Sequence, residues 1–236
     1  LLSDMTMVGE PQVFEFDMGY SLLLPASAGR AIRDGETLTI TDDLGRTVTF
    51  EFDKDGQVAD GNTPIQISDV DSTSVVAQAI SIAFNTFYEG NVSVVAGDRV
   101  FLCSLDKNLA GIPTLPITWY GAMDVSQGLL SAIEIEGNAP GMVNDPEIPG
   151  VLVPVDGSMR AEGVAYQIGR AVDAFYAEFY GGEDTGTLAN PNLFTSVKVD
   201  QSLIHLLKHG VGDPGKLNYG DGLPGDPVNL ALIGTL

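Results

Sequence analysis

The chain has 236 residues, 44% of them hydrophobic, which is enough to fold around one large core or two small ones and excludes global disorder. Its 32 Asp and Glu residues against 11 Lys and Arg give a net charge of −21. Such a charge repels nucleic-acid phosphates, and no run of about 18 apolar residues is present, so we expect neither nucleic-acid binding nor membrane insertion. The acidity suits high-salt media, divalent cations or a secreted protein, although it also serves solubility alone.

Strand patterns dominate the first third of the chain. Val13–Asp17 alternates apolar and acidic residues, as a half-buried strand does. Glu36–Ile40 and Thr47–Phe52 are predicted to form a hairpin around a turn rich in Asp and Gly. The letters Phe-Glu-Phe-Asp occur at residues 14–17 and again at 50–53. Convergent strand alternation and a short internal echo both explain this, and four residues do not separate the two.

A short strand, a helix and a hairpin are predicted next. Ile65–Ile67 is the strand, and a polar residue among 71–73 caps a helix over residues 73–88. The apolar side chains of that helix form one stripe, so it is expected to pack on a sheet and leave its other face in water. Residues 91–95 and 99–102 then form the hairpin.

The strand and helix occur twice in the sequence, at a constant offset of 88 residues. Ile65 and Tyr88 correspond to Val153 and Tyr176, and Ile133–Glu136 stands where residues 50–53 stood. A second closing hairpin is predicted over residues 195–207, after an insertion. A chain that repeats a whole strand–helix unit is typical of an array of modules rather than of a single-site catalyst.

The patterns predict an α+β, strand-rich fold of two related modules, each a mainly antiparallel sheet covered by one helix. The predicted bounds are 1–110 and 111–236 for the modules, 73–88 and 159–178 for the helices, 177–193 for the insertion, and 210–236 for an extended tail rich in Gly and Pro.

Two loops have the composition of calcium sites, because Ca²⁺ takes six to eight oxygen ligands, often from Asp in loops that contain Gly. The predicted ligands are Asp53, Asp55, Asp60 and Asn62 in one loop, which Asp69 and Asp71 could extend, and Asp221 and Asp226 in the other. Neither loop matches the EF-hand pattern. Asp and Gly also favour turns without any ion, so composition alone leaves both interpretations open.

Little in the sequence suggests catalysis, and we expect no enzyme activity. Asp184-Thr-Gly186 is similar to the active-site string of aspartic proteases, but a Gly-Gly-Glu loop precedes it and no second copy occurs, which favours a surface loop. His205 and His209 are the two histidines, and on a strand they would lie roughly 13 Å apart, too far for one metal ion. Cys103 follows an apolar run, which predicts a buried structural thiol.

Three runs in the first half resemble the β-rich modules repeated through very large secreted bacterial surface proteins. They are Gly-Glu-Thr-Leu-Thr-Ile at 35–40, Thr-Val-Thr-Phe-Glu-Phe-Asp at 47–53, and Gly-Asn-Thr-Pro-Ile at 61–65. The order strand, helix, hairpin is also similar to the flagellin IN motif. The resemblance covers residues 11–103, and residues 130–208 only through the internal repeat.

The resemblance implies a non-enzymatic structural, assembly or adhesion module at the bacterial cell surface: part of a surface layer, filament or adhesin. Its partners would be neighbouring copies or modules of the same assembly, and it carries no catalytic residues. An extracellular location follows from the same resemblance. The chain opens Leu1-Leu-Ser-Asp4 without an initiator Met or signal peptide, which predicts a processed or excised part of a longer protein.

Two other functions stay open. One is a carbohydrate- or ligand-binding module with Trp119 and Tyr120 as an aromatic platform, although packing between the modules is the preferred interpretation of Trp119. The other is a hydrolase that uses the loop around Asp184.

Overall fold

The computed structural model describes residues 13–128, 130–143, 150–180, 195–200, 203–208 and 231–233. Over these residues the protein is α+β and strand-rich, with mostly antiparallel sheets and a few helices, as the sequence predicts. The helices are α1 (Ala28–Ala31), α2 (Thr73–Phe87) and α3 (Ala161–Tyr180). The strands are β1 (Val13–Asp17), β2 (Ser21–Leu23), β3 (Thr37–Asp42), β4 (Thr47–Asp53), β5 (Thr63–Gln66), β6 (Val94–Ala96), β7 (Arg99–Phe101), β8 (Cys103–Leu105), β9 (Trp119–Gln127), β10 (Glu134–Glu136), β11 (Val151–Pro154), β12 (Thr195–Asp200), β13 (Leu203–Lys208) and β14 (Ala231–Ile233).

The chain divides into two compact units. The first unit comprises Asp17–Asn144 and Pro154–Ser158, and the second comprises Leu1–Phe16, Asp145–Val153 and Met159–Leu236. This division differs from the predicted boundary at residue 110. Strand β9 pairs with β3 and β8, and β10 pairs with β2, so these later strands belong to the first unit, whereas β1 joins the second.

A five-stranded sheet of order β5-β4-β3-β9-β8 forms the larger part of the first unit. Strands β3 and β4 make the predicted hairpin, with Leu38 opposite Phe50. Because side chains alternate between the two faces of a strand, Leu38 enters the core while Thr39 faces out and bonds to Thr49 with 2.9 Å between the hydroxyl oxygens.

Helix α2 covers this sheet, as its apolar stripe predicts. Ser72 caps its first turn, where the hydroxyl oxygen accepts a hydrogen bond from the Val75 N–H. Val76, Ile80 and Phe84 are fully buried, and the Phe84 ring stacks on Phe50 with 4.6 Å between centroids. Burying each of these side chains contributes about 1.5–3 kcal/mol, so the stripe holds the helix on the sheet.

A second sheet in the first unit has the order β10-β2-β7-β6. Strands β6 and β7 are the hairpin predicted after the helix, with Val95 opposite Val100. Leu22 and Val100 from this sheet belong to the same buried cluster as Phe50 and Ile80, so one apolar core serves both sheets of the unit.

The second unit contains a sheet of order β11-β1-β14, helix α3 and the hairpin β12–β13. The hairpin lies where the sequence predicts it, with Val197 opposite Leu206. Helix α3 runs to Tyr180, so the first residues of the predicted insertion at 177–193 are helical. Residues 181–194 and most of the predicted tail lie outside the described residues, but Ala231–Ile233 of that tail forms a strand that pairs with β1.

The structure keeps the offset of 88 residues. Strand β11 spans 151–154 and β5 spans 63–66, while α3 begins at Ala161 and α2 at Thr73. Both bounds of the strand and the start of the helix therefore coincide when the chain is shifted by 88 residues.

The strand that precedes the repeated unit is not the one that the sequence comparison selects. Ile133–Glu136 was expected to take the place of residues 50–53, but β10 pairs with β2 in the first unit instead. Strand β1 has the equivalent position. The Ile67 N–H donates to the Asp53 carbonyl at 3.0 Å, and the Val155 N–H donates to the Asp17 carbonyl at 2.9 Å. The echo Phe-Glu-Phe-Asp thus marks matching strands, separated from the rest of the second copy by residues 18–150.

Candidate functional site

The loop that follows β4 brings three carboxylates together. Oxygen atoms of Asp34, Asp53 and Asp55 all lie within 4.8 Å of one another. Asp53 is buried at the end of β4, whereas Asp34 and Asp55 are exposed. This is the group of described residues whose donors suit a hard cation such as Ca²⁺, with water supplying the remaining ligands.

Backbone hydrogen bonds fix the carboxylates of this group. Asp53 Oδ1 accepts from the N–H groups of Asp55, at 3.2 Å, and of Gly56, at 2.6 Å. Asp34 Oδ1 accepts from the Lys54 N–H at 2.7 Å. These turns bring residues 34 and 53–56 together even in the absence of an ion, so the geometry serves the fold whether or not a cation binds.

Lys54 and Asp69 form an ion pair beside this group. Lys54 Nζ donates to Asp69 Oδ1 at 2.6 Å and to the Gly29 carbonyl at 2.6 Å. The hydrogen bond and charge of Lys54 lower the pKa of Asp69 below its usual range. Asp69 is therefore engaged with Lys54 and does not join Asp53, and Asp71 instead accepts from the Ser68 N–H at 2.7 Å.

Asn62 and Asp60 lie apart from the carboxylate group. The Asn62 side-chain amide donates to Glu51 Oε2 at 2.6 Å, and the Ala59 N–H donates to the same oxygen at 3.0 Å. Glu51 thereby holds the far end of the loop, and Asp60 is exposed on it. The structure thus brings together Asp53 and Asp55 of the predicted ligands, while Asp221 and Asp226 lie outside the described residues.

Sequence reasoning missed Asp34 and Glu51. Asp34 lies far from Asp53 along the chain, and only the pairing of β3 with β4 brings it close: the Gly35 N–H donates to the Phe52 carbonyl at 2.9 Å. Glu51 had a signal, because an acid in the middle of a buried Phe-Glu-Phe strand needs a hydrogen-bond partner. Asn62 in the following loop is that partner.

The matching strand of the second copy lacks the third carboxylate. Asp17 Oδ1 accepts from the Gly19 N–H at 3.2 Å, the same turn that Asp53 makes with Asp55. Gly19 therefore stands where Asp55 stands, and Asp17 Oδ2 accepts from the Gly141 N–H at 2.7 Å. The turn is common to both copies, whereas the carboxylate group belongs to the first.

Other buried carboxylates also hold loops. Burial alone would raise the pKa of Asp42, but hydrogen bonds from the Arg46 N–H and guanidinium and from the Leu44 N–H lower it below its usual range. Glu36 accepts from the Ser131 hydroxyl at 2.5 Å. Asp42 is the last residue of β3 and Glu36 directly precedes that strand, so each acid ties one end of β3 to a turn or loop, which is a structural use of a carboxylate.

Asp156 is the most completely buried of these acids, with a side chain that is 0% exposed. Its Oδ2 accepts from the Leu105 N–H at 2.9 Å and contacts Lys107 Nζ, and its Oδ1 accepts from the Ser158 N–H at 2.9 Å. Burial raises the pKa of Asp156, but these donors outweigh it, so the pKa is lower than usual and Asp156 is ionised at neutral pH.

Two aromatic residues proposed as a binding platform do not share a face. Trp119 and Tyr120 are neighbours on β9, so their side chains point to opposite sides of the strand. Trp119 packs against the core of the first unit, and Tyr120 is 40% exposed.

The residues considered for catalysis contribute no described geometry. Asp184–Gly186 and His209 lie outside the described residues. His205 lies on β13, opposite Lys198 in the hairpin register. The predicted distance between His205 and His209 assumed a strand at this position, and β13 is that strand as far as Lys208.

Within the described part of the chain, no helix has the length and hydropathy to cross a membrane. Comparisons with protein-family models, with curated proteins and with solved structures found no significant match to this chain.

Proposed function

We propose that this chain is a non-enzymatic structural or adhesion module of an extracellular bacterial surface assembly, such as a surface layer, filament or adhesin. The observation that carries the proposal is the repeat: β5 and α2 recur as β11 and α3 at the same spacing, with the same turn at Asp53 and Asp17. Repeated units present similar surfaces more than once, which is the property that assemblies use.

The way the chain uses its acids supports the same function. The buried carboxylates are those that acid–base catalysis would recruit, yet Asp42, Glu51 and Asp156 are each taken up by backbone and side-chain donors. Groups held in this way fix loops and rigidify modules. They are poorly placed to exchange protons with a substrate, since each would first have to break those bonds.

The partners we propose are neighbouring copies or modules of the same assembly. Nucleic acid is disfavoured, because a net charge of −21 opposes the approach of phosphates. Electron microscopy of the purified chain, at low and high protein concentration and with and without Ca²⁺, tests the proposal. We expect filaments or lattices, and particles that stay strictly monomeric under all of these conditions would contradict it.

Calcium is the cofactor that we propose for the group Asp34, Asp53 and Asp55. At a Ca²⁺ concentration tenfold above Kd, binding to the folded state adds about 1.4 kcal/mol, which raises Tm by about 3–6 °C in a chain of this size. A thermal scan in Ca²⁺ and in EDTA measures the shift, and we expect Asp34→Asn to remove it.

The matched control for this experiment is Asp60→Asn. Asp60 is a ligand predicted from sequence that the structure places outside the carboxylate group. The Asp60 variant should keep the Ca²⁺ shift of the unchanged chain. A Tm that is the same in Ca²⁺ and in EDTA would remove the calcium proposal and leave the structural one standing.

A further inference from the structure

Strands β1 and β4 share the run Phe-Glu-Phe-Asp and have matching neighbours on one side. Each ends in Phe-Glu-Phe-Asp and closes with an Asp turn. The carbonyl of its last residue accepts from the residue that directly follows the strand of the repeated unit, which is Val155 after β11 and Ile67 after β5. The two sheets can therefore be compared strand by strand, starting from β1 in one and β4 in the other.

The other side of the two strands is filled differently. In the first unit it is filled by β3, a strand of six residues that is antiparallel to β4 and joined to it by a tight turn. In the second unit it is filled by β14, a strand of three residues that is parallel to β1. Leu232 takes the register position opposite Phe14 that Leu38 takes opposite Phe50. Strand β14 thus replaces in the second sheet what β3 supplies in the first.

Strands β3 and β14 differ in how they are connected to the strands with which they pair. Strand β3 is held by the hairpin, whereas β14 comes from the far end of the sequence, after residues 209–230 that are rich in Gly and Pro. A short parallel strand contributes few ladder hydrogen bonds. A tethered strand competes with the same strand from another molecule at an effective concentration that is on the order of millimolar for a short flexible linker and falls as the connection lengthens.

We propose that the side of β1 that pairs with β14 is a strand-acceptor site and that its occupant in the assembled state is strand β14 of a second copy of this chain. The exchanged strand would keep the register Val13–Ala231, Phe14–Leu232 and Glu15–Ile233. Because the donor strand and the acceptor strand are different parts of the chain, the contact is head-to-tail and propagates into rings or filaments. The inference rests on the proposed assembly function, since copies packed in an assembly reach the concentrations that exchange requires.

Cross-linking of the full chain tests this site. Val13→Cys and Ala231→Cys are prepared as two separate proteins, mixed over roughly 0.01–1 mM, which brackets the effective concentration of a tethered strand, and oxidised. The native Cys103 stays in both, because it is fully buried. We expect a mixed disulfide-linked dimer in non-reducing electrophoresis and mass spectrometry, rising at least tenfold over this range. Adding Leu232→Pro to the Ala231→Cys chain should abolish it, because proline disrupts strand pairing.

A locally paired hairpin provides the matched control. Thr41 and Thr47 are register partners on β3 and β4, so Thr41→Cys and Thr47→Cys as separate proteins should give no mixed dimer, while the double variant cross-links within one chain. The double variant Val13→Cys/Ala231→Cys reports whether β1 and β14 pair at all.

Each outcome decides the proposal. If the double variant cross-links within one chain and the mixed single variants stay unlinked at the highest concentration, exchange is wrong and the internal pairing stands. If neither cross-links, the pairing and the proposal both fail. Filaments or lattices seen by electron microscopy without the 13–231 cross-link would leave the assembly function standing and overturn strand exchange alone.

Discussion

At the scale of single residues, Asp156 illustrates how this chain uses a buried charge. Its two oxygens accept backbone bonds from Leu105 and Ser158 and contact Lys107, so one side chain ties three points of the first unit together. Removing one partner of such a set leaves the others buried and unpaired, which costs more than the contact itself contributes.

We predict that Asp156→Asn lowers the free energy of unfolding by about 2–4 kcal/mol at pH 7, measured by urea unfolding. The control is Asp69→Asn, which removes an ion pair whose Asp side chain is 72% exposed and should cost much less than Asp156→Asn, because exposed ion pairs contribute little to stability. Equal losses in the two variants would contradict the role assigned to Asp156.

The Asp156 side chain also makes a contribution to the free energy of unfolding that depends on pH. The folded pKa of Asp156 is lower than the unfolded one, so the unfolded state takes up its proton first as pH falls. The stability that Asp156 contributes is therefore present above its unfolded pKa of about 3.9 and is lost as pH falls through the folded pKa. The Asn variant should show a flatter stability profile below about pH 5 than the unchanged chain.

Cys103 is the second residue with a definite expectation. Its side chain is fully buried, its Sγ donates to the Ala122 carbonyl at 3.0 Å, and burial raises its pKa to about 12. We predict that the native thiol reacts with a disulfide reagent at pH 8 at least about a thousandfold more slowly than in denaturant, because reaction requires opening of the fold.

Thr86→Cys is the control for that measurement. Thr86 lies on the exposed side of α2, so the added thiol should react at once in the native chain. A Cys103 that reacts in the folded protein as quickly as this added thiol would contradict a closed core around β8.

At the scale of elements, a close approach between β8 and β9 requires a glycine. Gly121 has φ +114°, and a Cβ there would lie 2.2 Å from the Leu102 carbonyl oxygen, which accepts a hydrogen bond from the Ala122 N–H. Only a residue without Cβ lets the two backbones pair in this register.

We predict that Gly121→Ala lowers the free energy of unfolding by about 2–4 kcal/mol, because both the clash and the positive φ oppose it. Gly45→Ala is the matched control: its φ is +75°, but nothing lies within 4 Å of the added Cβ, so it should cost about 1–2 kcal/mol. Urea unfolding of both variants separates clash from backbone strain, and a control that loses as much as Gly121→Ala would assign the whole effect to φ.

Elements were predicted better than their partners. Helix α2 and the hairpins β3–β4, β6–β7 and β12–β13 follow from patterns within a few residues, since a period of two or 3.6 and a turn are local properties. The choice of β1 rather than β10 as the strand beside β11 depends on pairing between distant segments. The correct clue was the four-letter echo at 14–17 and 50–53, and four residues did not distinguish it from ordinary strand alternation.

At the scale of the whole molecule, the first unit contains its own buried cluster, drawn from residues 22–133. Residues 154–158 add Val155, which is 2% exposed and whose N–H donates to the Asp17 carbonyl. They also add Asp156, which accepts from the N–H of Leu105, the last residue of β8. The unit is thus complete only when this later segment is included.

We predict that a fragment of residues 17–158 folds cooperatively, and that a fragment of residues 17–144 is less stable by several kcal/mol because it loses Val155 and Asp156. Urea unfolding followed by circular dichroism compares the two. Equal stabilities would show that residues 154–158 are not part of the folding unit.

Some residues of the carboxylate group could be found from the sequence, whereas another could be found only from the fold. Asp53 and Asp55 are neighbours in a loop rich in Asp, so composition alone indicated them, whereas Asp34 joins them only through the pairing of β3 with β4. Asn62 lies in the same loop, but its side-chain amide donates to Glu51. A buried carboxylate without a hydrogen-bond donor costs free energy, so Asn62 pairs with Glu51 rather than with the exposed carboxylates.

By itself the sequence determined the strand-rich α+β class, the repeated strand and helix at an offset of 88 residues, and the acidic loop after β4. All three follow from local periodicity and composition. The tertiary structure decided which strand completes each sheet, where the two compact units divide, and which carboxylates meet. Those choices depend on hydrogen bonds and burial between segments far apart in the chain, whose pairing no local pattern specifies.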